Sequence, residues 1–151
     1  MTGERFAFAD PGVLSDGELE LVCVWTRDGD PARRLVATYE FEIRREGARV
    51  GRVGFRCQDT DYMRLYAGNI GYGVDEHARG HRYAARAVAI LRPFMKRHLT
   101  TAWIAIDPDN VASRRTAERV GAVFVEIVDL MPDDEQYQDG ERQKCRYRLD
   151  L

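Results

Sequence analysis

The fold of this chain is decided by residues 69–121, which read NIGYGVDEHARGHRYAARAVAILRPFMKRHLTTAWIAIDPDNVASRRTAERVG. A short apolar run over 70–74 predicts a β-strand, and a second run over 101–107 predicts another. Between them, apolar residues recur from Ala84 to Met95 at the spacing of an amphipathic helix, and arginines occupy the opposite face. This stretch therefore predicts strands that alternate with helices.

Local signals predict where the two helices end. Pro93 lies inside the first helical pattern, which predicts a kink there or the start of a new helical segment. Asn110 is well placed to cap a second helix that runs to about Val120. Gly121 is the residue expected to end that helix.

The turn before the first helix is basic. From His77 to Ile106 the sequence contains no Asp or Glu, but it contains Arg79, Arg82, Arg86, Arg92, Lys96 and Arg97. The first turn of a helix presents unpaired backbone N–H groups and the positive end of the helix dipole, and both attract phosphate. These residues predict a binding site for a phosphorylated cofactor. The later arginines, Arg86, Arg92 and Arg97, also fit a solvated helix face.

The rest of the chain adds strands on both sides. Alternating patterns predict an antiparallel meander of three strands, at 19–25, 35–45 and 50–57, with a hairpin turn at Glu46-Gly47. Residues 1–17 predict an irregular or loosely attached arm. The other predicted segments are a polar loop over 58–64, a strand over 122–130, an acidic loop over 131–140 and a closing strand over 142–149.

This order of elements predicts one α/β domain over residues 1–151, with a single mixed, mostly antiparallel central sheet flanked by helices. The composition, 44% hydrophobic and 32% charged, is ordinary for a soluble globular protein. A net charge of −2 argues against a nucleic-acid partner. The three cysteines, Cys23, Cys57 and Cys145, are widely spaced, and no apolar run reaches membrane-spanning length. We therefore expect a cytoplasmic protein that does not bind membranes.

Three motifs resemble those of the GCN5-related N-acetyltransferase (GNAT) superfamily, and within it the branch of ribosomal-protein N-terminal acetyltransferases. They are the strand Ile70-Gly71-Tyr72-Gly73-Val74, the turn Arg79-Gly80-His81-Arg82-Tyr83-Ala84 and the helix start Asp107-Pro108-Asp109-Asn110-Val111-Ala112-Ser113. The resemblance implies a GNAT-like fold that binds acetyl-CoA (coenzyme A). Its N-terminal helical region would be reduced, because only residues 27–34 join the first two strands of the meander where the family inserts one or two helices.

The resemblance also implies the cofactor-binding residues: Tyr72, Gly73, Val74, Arg79, Gly80, His81, Arg82, Tyr83, Ala84, Asn110 and Ser113. The pantetheine would pair with the backbone of residues 72–74 as an extra strand. In the pyrophosphate loop, the central glycine position of the family pattern is occupied by Arg82, which keeps its backbone N–H and can add a charge-assisted hydrogen bond. The family's tyrosine acid falls at Ala117, so Ser113 or a water is expected to protonate the thiolate.

The acceptor side is less defined by the sequence. A primary amine must lose a proton before or during attack. Candidates for the base are Glu42, Asp61, Glu76 and Asp129, and of these we take Glu42 and Glu76 as catalytic candidates beside Ser113. The acceptor would be a small-molecule amine or a protein N-terminus. Its groove is either open or completed by a second copy of the chain in a homodimer.

Other interpretations of these motifs are weaker. Gly71-x-Gly73 lacks the third glycine of a dinucleotide fingerprint. His77 and His81 lack the glutamate of a zinc-protease helix, so no metal site is expected. Tyr39, Phe41 and Trp25 are expected in the core. The main hypothesis is an acetyl-CoA-dependent N-acetyltransferase acting by direct attack in a ternary complex, and the alternative is a non-catalytic acyl-CoA-binding module.

Overall fold

The structure is a computed structural model, and it describes residues 5–151. Its strands are β1 (Leu14–Ser15), β2 (Leu19–Arg27), β3 (Thr38–Arg45), β4 (Ala48–Arg56), β5 (Ile70–Val74), β6 (Thr101–Ile106), β7 (Val123–Asp129) and β8 (Gln143–Asp150). Its helices are α1 (Tyr83–Met95), α2 (Val111–Arg119) and the short α3 (Glu135–Gln138). The predicted strands and helices occur in the predicted order, and the structure adds the two-residue strand β1 and the short helix α3.

The strands form two antiparallel sheets instead of one continuous sheet. The first has the order β1-β2-β3-β4-β5, and the second has the order β6-β8-β7. The sheets are joined where β5 and β6 begin. There the Asn69 backbone N–H donates to the Trp103 carbonyl oxygen (2.6 Å), and the Trp103 N–H donates to Asn69 Oδ1 (2.9 Å). Beyond this junction β5 and β6 are not paired, so a cleft opens between them.

The core lies between the first sheet and α1. Tyr39, Phe41 and Ile43 point to the same face of β3 and are fully buried. The Tyr39 ring meets that of Phe94 from α1 edge to face, with centroids 4.9 Å apart. One cluster of buried side chains includes residues of both sheets and of both long helices.

The structure confirms the helix cap predicted at Asn110 and the helix end predicted at Gly121. The α1 helix runs through Pro93 and ends two residues later, so no new helical segment starts there. The Asn110 side chain caps α2 by accepting a hydrogen bond from the Ser113 N–H (3.2 Å). Gly121 follows the helix with a φ of 91°, a conformation that glycine adopts without strain.

Two expectations about the first half of the chain were wrong. Trp25 is 45% exposed, because a β-bulge between Cys23 and Trp25 shifts the alternation of β2. Residues 58–64 are not all loop, since a helical turn begins at Asp61 and continues as a π-helical turn, Met63–Ala67, around the buried Met63.

The predicted N-terminal arm extends over residues outside the described range, but its described part is attached to the core. Phe6 and Phe8 pack against the core cluster, and the Ala9 N–H donates to the Tyr39 hydroxyl (2.8 Å). Arg86 of α1 forms ion pairs with Asp16 and Glu18, which lie just before β2.

The acidic segment 131–140 is also more ordered than a solvated loop. It contains α3, capped by the buried Asp134, whose Oδ2 accepts a hydrogen bond from the Tyr62 hydroxyl (2.8 Å). Within residues 5–151, no helix has the length and apolar character needed to cross a bilayer.

Candidate functional site

A cleft of about 600 Å³ lies where β5, the turn before α1 and the start of α2 meet. It is lined by Tyr72, Gly73, Val74, Ala78, Arg79, Gly80, His81, Arg82, Tyr83, Ala84, Asn110, Ala112, Ser113, Arg115, Thr116 and Arg119. All of the cofactor-binding residues predicted from the sequence are among them. None of these lining residues is Asp or Glu, so the cleft is electropositive.

The first turn of α1 forms one end of this cleft. The first hydrogen bond within the helix runs from the Arg86 N–H to the Arg82 carbonyl oxygen (3.1 Å). The N–H groups of Tyr83, Ala84 and Ala85 therefore have no partner within the helix, and no side chain caps it. Unpaired donors at the positive end of a helix of 13 residues suit a phosphate group.

The backbone of the turn has the shape that glycine favours, although one position is an arginine. Arg82 adopts the left-handed conformation, with φ 58° and ψ 30°. Gly80, two residues earlier in the turn, also has a positive φ, of 93°. The left-handed conformation costs an L-residue about 1–2 kcal/mol. The Arg82 side chain is exposed, and its guanidinium adds positive charge at the mouth of the cleft.

The opposite wall carries two arginines that sequence reasoning missed. Arg115 and Arg119 lie one turn apart on α2, and both line the cleft beside Thr116. The i, i+4 spacing of Arg115 and Arg119 was the signal available in the sequence, because it places both arginines on the face of α2 that carries Ala112 and Thr116. In contrast, Arg86 and Arg92 of α1, and Arg97 just after it, contact acidic side chains or carbonyl groups outside the cleft.

The strand that forms the cleft floor has an open edge. β5 is the last strand of the first sheet, so the backbone groups on its outer edge have no partner strand beyond the Asn69 junction. An extended ligand can pair with such an edge as an additional strand. The edge and the helix start lie in the same cleft, which suits a long ligand with a phosphorylated end and an extended arm.

Asn110, Ser113 and Tyr72 meet beside this edge. The Ser113 hydroxyl donates to the Tyr72 hydroxyl (3.2 Å), and the Tyr72 hydroxyl donates to the Ser113 carbonyl oxygen (2.8 Å). Burial raises the pKa of Tyr72 to about 12, so its phenol stays protonated at neutral pH. Ala117 is fully buried and has no hydroxyl. Sequence reasoning used only the backbone of Tyr72 and missed its hydroxyl, which the strand pattern alone does not orient.

The carboxylates predicted as bases lie outside the cleft. Glu42 lies on the opposite face of the first sheet, where hydrogen bonds from Arg44 hold its pKa below the usual range. Glu76 is exposed in the short turn before Arg79. Asp61 pairs with Arg64, and Asp129 accepts a hydrogen bond from Gln143.

The comparisons with known proteins agree with this geometry. No curated protein matches the chain in sequence. Among solved structures, the microcin C7 self-immunity acetyltransferase MccE, in complex with acetyl-CoA and AMP, is 17% identical with a TM-score of 0.58. The aligned region covers 76% of this chain and 61% of the MccE chain. An acetyltransferase from Salmonella typhimurium that modifies the N-terminal serine of the 50S ribosomal subunit protein L7/L12 is 18% identical with a TM-score of 0.59. The aligned region covers 76% of this chain and 64% of the Salmonella typhimurium chain.

RimL, a ribosomal L7/L12 alpha-N-protein acetyltransferase, is 14% identical with a TM-score of 0.66, over 92% of this chain and 94% of its own. The chain thus spans less than two thirds of the length of the first two proteins and most of the third. At these identities the likeness is one of fold. In sequence, however, the family model of the acetyltransferase (GNAT) domain matches residues 6–123. The chain therefore belongs to the GNAT acetyltransferases, a family that transfers acetyl groups from acetyl-CoA to amines.

Proposed function

We propose that this chain is an N-acetyltransferase that transfers the acetyl group of acetyl-CoA to a primary amine by direct attack in a ternary complex. The observation that carries the proposal is the acid-free cleft in which the unpaired N–H groups of α1 lie beside the open edge of β5. The residues fit the ligand, because donors and cations converge at one end and an unpaired strand edge lies at the other.

Each part of the cleft has a role in this proposal. Arg79, Arg82 and the N–H groups of Tyr83 and Ala84 bind the diphosphate. Asn110 and the backbone of 72–74 bind the pantetheine, and a β5 N–H polarises the carbonyl on which negative charge develops. Acetyl-CoA supplies the activated thioester.

Proton movements complete the reaction. The amine nitrogen forms a bond to the carbonyl carbon, and the carbon–sulfur bond breaks. The thiolate takes a proton from a water or from Ser113, which then regains a proton from solvent. Tyr72 orients that hydroxyl, because it accepts a hydrogen bond from Ser113 Oγ. The proton lost by the amine passes to a base on the acceptor side, for which Glu42 remains our candidate. Glu76, which is exposed outside the cleft, remains a weaker one.

Two further features are part of the proposal. We place the chain in the cytoplasm, since none of Cys23, Cys57 and Cys145 forms a disulfide.

We also propose one domain over residues 1–151, and a homodimer. The homodimer is supported by four apolar residues of the edge strand β7 that are 41–53% exposed: Val123, Phe124, Val125 and Ile127. The partners are an amine acceptor and a second copy, without nucleic acid or membrane.

The test is release of free coenzyme A thiol from acetyl-CoA in the presence of a panel of amines and of peptides with a free N-terminal serine. We expect amine-dependent release and a mass increase of one acetyl group on the acceptor. The variant Ser113→Ala should lower kcat by about 100-fold, because a general acid contributes at least that factor. Acetyl-CoA that binds tightly without release for any amine would contradict transfer and favour a non-catalytic acyl-CoA-binding module.

A further inference from the structure

A second groove, of about 410 Å³, lies on the face of the first sheet that points away from α1. It is lined by Val24, Trp25, Arg27, Thr38, Glu40, Phe41, Glu42, Arg49, Arg52, Gly54 and Arg56. A short 3-10 turn, Pro31–Arg33, joins β2 to β3, and the lining residues Val24 and Trp25 are 42% and 45% exposed. The groove is therefore open to solvent.

The charges of this groove do not balance. Glu40 is buried and receives two hydrogen bonds from the Arg52 guanidinium. Glu42 is held by Arg44 and Arg49. Both carboxylates are thus neutralised by arginines. The two remaining cations, Arg27 and Arg56, have no carboxylate within 4.0 Å among residues 5–151.

Arg56 is the cation whose position is fixed. Its Nη1 donates to the carbonyl oxygens of Ala67 (3.3 Å) and Gly68 (3.1 Å), so the guanidinium is held over the start of β5. Burial lowers the pKa of Arg56, and the charge of Arg52 lowers it further. A partly buried guanidinium without a carboxylate gains free energy when an anion binds, because the anion replaces water with charge-assisted hydrogen bonds.

The strand register places Arg56 next to the open edge of β5. Glu40 of β3 lies opposite Gly54 of β4, and Gly54 lies opposite Gly71 of β5. The ion pair between Arg52 and Glu40 lies over Gly54, where an added Cβ would be 2.8 Å from Arg52 Nη2 and 2.9 Å from Glu40 Oε2. A Cβ placed on Gly71 would lie 3.7 Å from Arg56 Nη2 and 3.9 Å from Arg52 Nη1. Gly71 directly precedes the residues that we propose to pair with pantetheine.

We propose that this groove is the acceptor site, and that Arg56, with Arg27 beside it, binds a carboxylate of an acidic peptide whose N-terminal amine receives the acetyl group. This inference rests on the proposed function and adds the class of substrate. An extended peptide suits the groove because it is open and has no helical wall. The carboxylate lies within one to three residues of the amine, since Arg56 is adjacent to the edge of β5.

The test compares three tetrapeptide amides that begin with serine and differ at the second and third residues: Glu-Glu, Gln-Gln and Lys-Lys. For the wild-type chain we expect the acidic peptide to exceed its neutral twin in kcat/KM by about 10–100-fold, the usual range for hydrogen bonds to a charged group. The basic peptide should be the poorest substrate. Free glutamate serves as a small-molecule acceptor, and turnover equal to that of the acidic peptide would contradict a peptide groove.

Variants test which arginine produces the preference for the acidic peptide. Arg56→Gln should reduce the preference for the acidic peptide over its neutral twin by about tenfold or more, through KM. Arg27→Gln removes an exposed side chain that stacks on Trp25, so the variant should fold. It should reduce the preference by a smaller factor that disappears at high salt. The matched control is Arg148→Gln, an exposed arginine of β8 outside both pockets, which should keep the preference.

Binding in the presence of coenzyme A, measured by calorimetry, separates this inference from the proposed function. If peptides are acetylated without preference for acidic residues, the acceptor assignment is wrong and the transferase function stands. If no peptide is acetylated but the acidic one binds more tightly than its neutral twin, and Arg56→Gln removes the difference, the transferase function fails and the anion site stands. Equal binding of the three peptides would overturn the inference.

Discussion

Asn110 is the residue that belongs both to the fold and to the cleft. Its side chain caps α2, and it lines the cleft beside Ser113. We predict that Asn110→Ala lowers the free energy of unfolding by about 1 kcal/mol, the usual cost of a lost cap, and also weakens acetyl-CoA binding. Chemical unfolding and calorimetry measure the two effects.

A control separates capping from binding. Asp30 caps the 3-10 turn Pro31–Arg33 by accepting a hydrogen bond from the Ala32 N–H (3.2 Å), and it is not among the residues that line the cleft. Asp30→Ala should therefore leave acetyl-CoA affinity unchanged. An Asn110→Ala variant that keeps the wild-type affinity would show that the pantetheine does not contact this side chain.

Tyr72 makes stability depend on pH in the alkaline range. Its pKa in the folded chain is raised to about 12, whereas an unperturbed tyrosine has a pKa near 10. Between about pH 10 and pH 12 the unfolded chain therefore loses a proton that the folded chain keeps, and stability falls as the pH rises. Below about pH 10 this residue contributes no pH dependence.

Tyr72→Phe tests this assignment. The variant loses the hydrogen bonds to Ser113, so it should be less stable at neutral pH by about 1 kcal/mol. It should also show a smaller loss of stability between about pH 10 and pH 12 than the wild type, as measured by urea unfolding. The same loss in both proteins would mean that Tyr72 is not protected from ionisation.

Among the elements, the strand–turn–helix around α1 shows what the sequence can predict and what it cannot. The strand, the helix and their basic turn were predictable, because apolar periodicity and helix-end signals are local. Two features were not predictable for a physical reason. The bulge that exposes Trp25 and the row formed by Glu40, Gly54 and Gly71 depend on how distant strands align, and register is a property of the assembled sheet.

The turn before α1 also contains a strained residue. Arg82 has φ 58°, which costs about 1–2 kcal/mol, whereas glycine in its place loses about 0.5–1 kcal/mol through greater freedom of the unfolded chain. We predict that Arg82→Gly is stabilising by up to about 1 kcal/mol, because relief of strain exceeds that entropy cost. The variant should bind acetyl-CoA more weakly, since a cation is lost from the cleft.

Thermal unfolding and titration with acetyl-CoA measure these opposite changes. Arg79→Gly serves as the comparison, because Arg79 has an extended backbone with φ −70° and no strain to relieve. Removing its charge should weaken binding without raising stability. A destabilised Arg82→Gly would show that its side chain stabilises the turn by more than the strain costs.

At the scale of the whole molecule, the second sheet ends in an apolar edge. Among the strands of residues 5–151, β7 pairs with β8 alone, and its exposed side chains include Phe124 and Ile127, which are 45% and 46% exposed. We predict that the chain dimerises through this edge, and that Ile127→Lys yields a monomer in light scattering because a charge blocks the pairing of edge strands. Val13→Lys, at a residue that is 93% exposed outside the sheets, should leave the dimer intact. A wild-type monomer at all concentrations would refute the dimer.

The central claim is that the cleft formed by β5, the turn before α1 and the start of α2 binds a diphosphate at the start of α1 and thereby presents a thioester at the edge of β5. The most direct measurement is the affinity of the wild-type chain for acetyl-CoA and for acetyl-pantetheine, which carries the same thioester without the diphosphate and nucleotide. We expect acetyl-CoA to bind, to raise the melting temperature, and to exceed acetyl-pantetheine in affinity by about 100-fold or more, since several charge-assisted hydrogen bonds are lost with the phosphates. Equal affinities, or no binding of acetyl-CoA, would contradict the account.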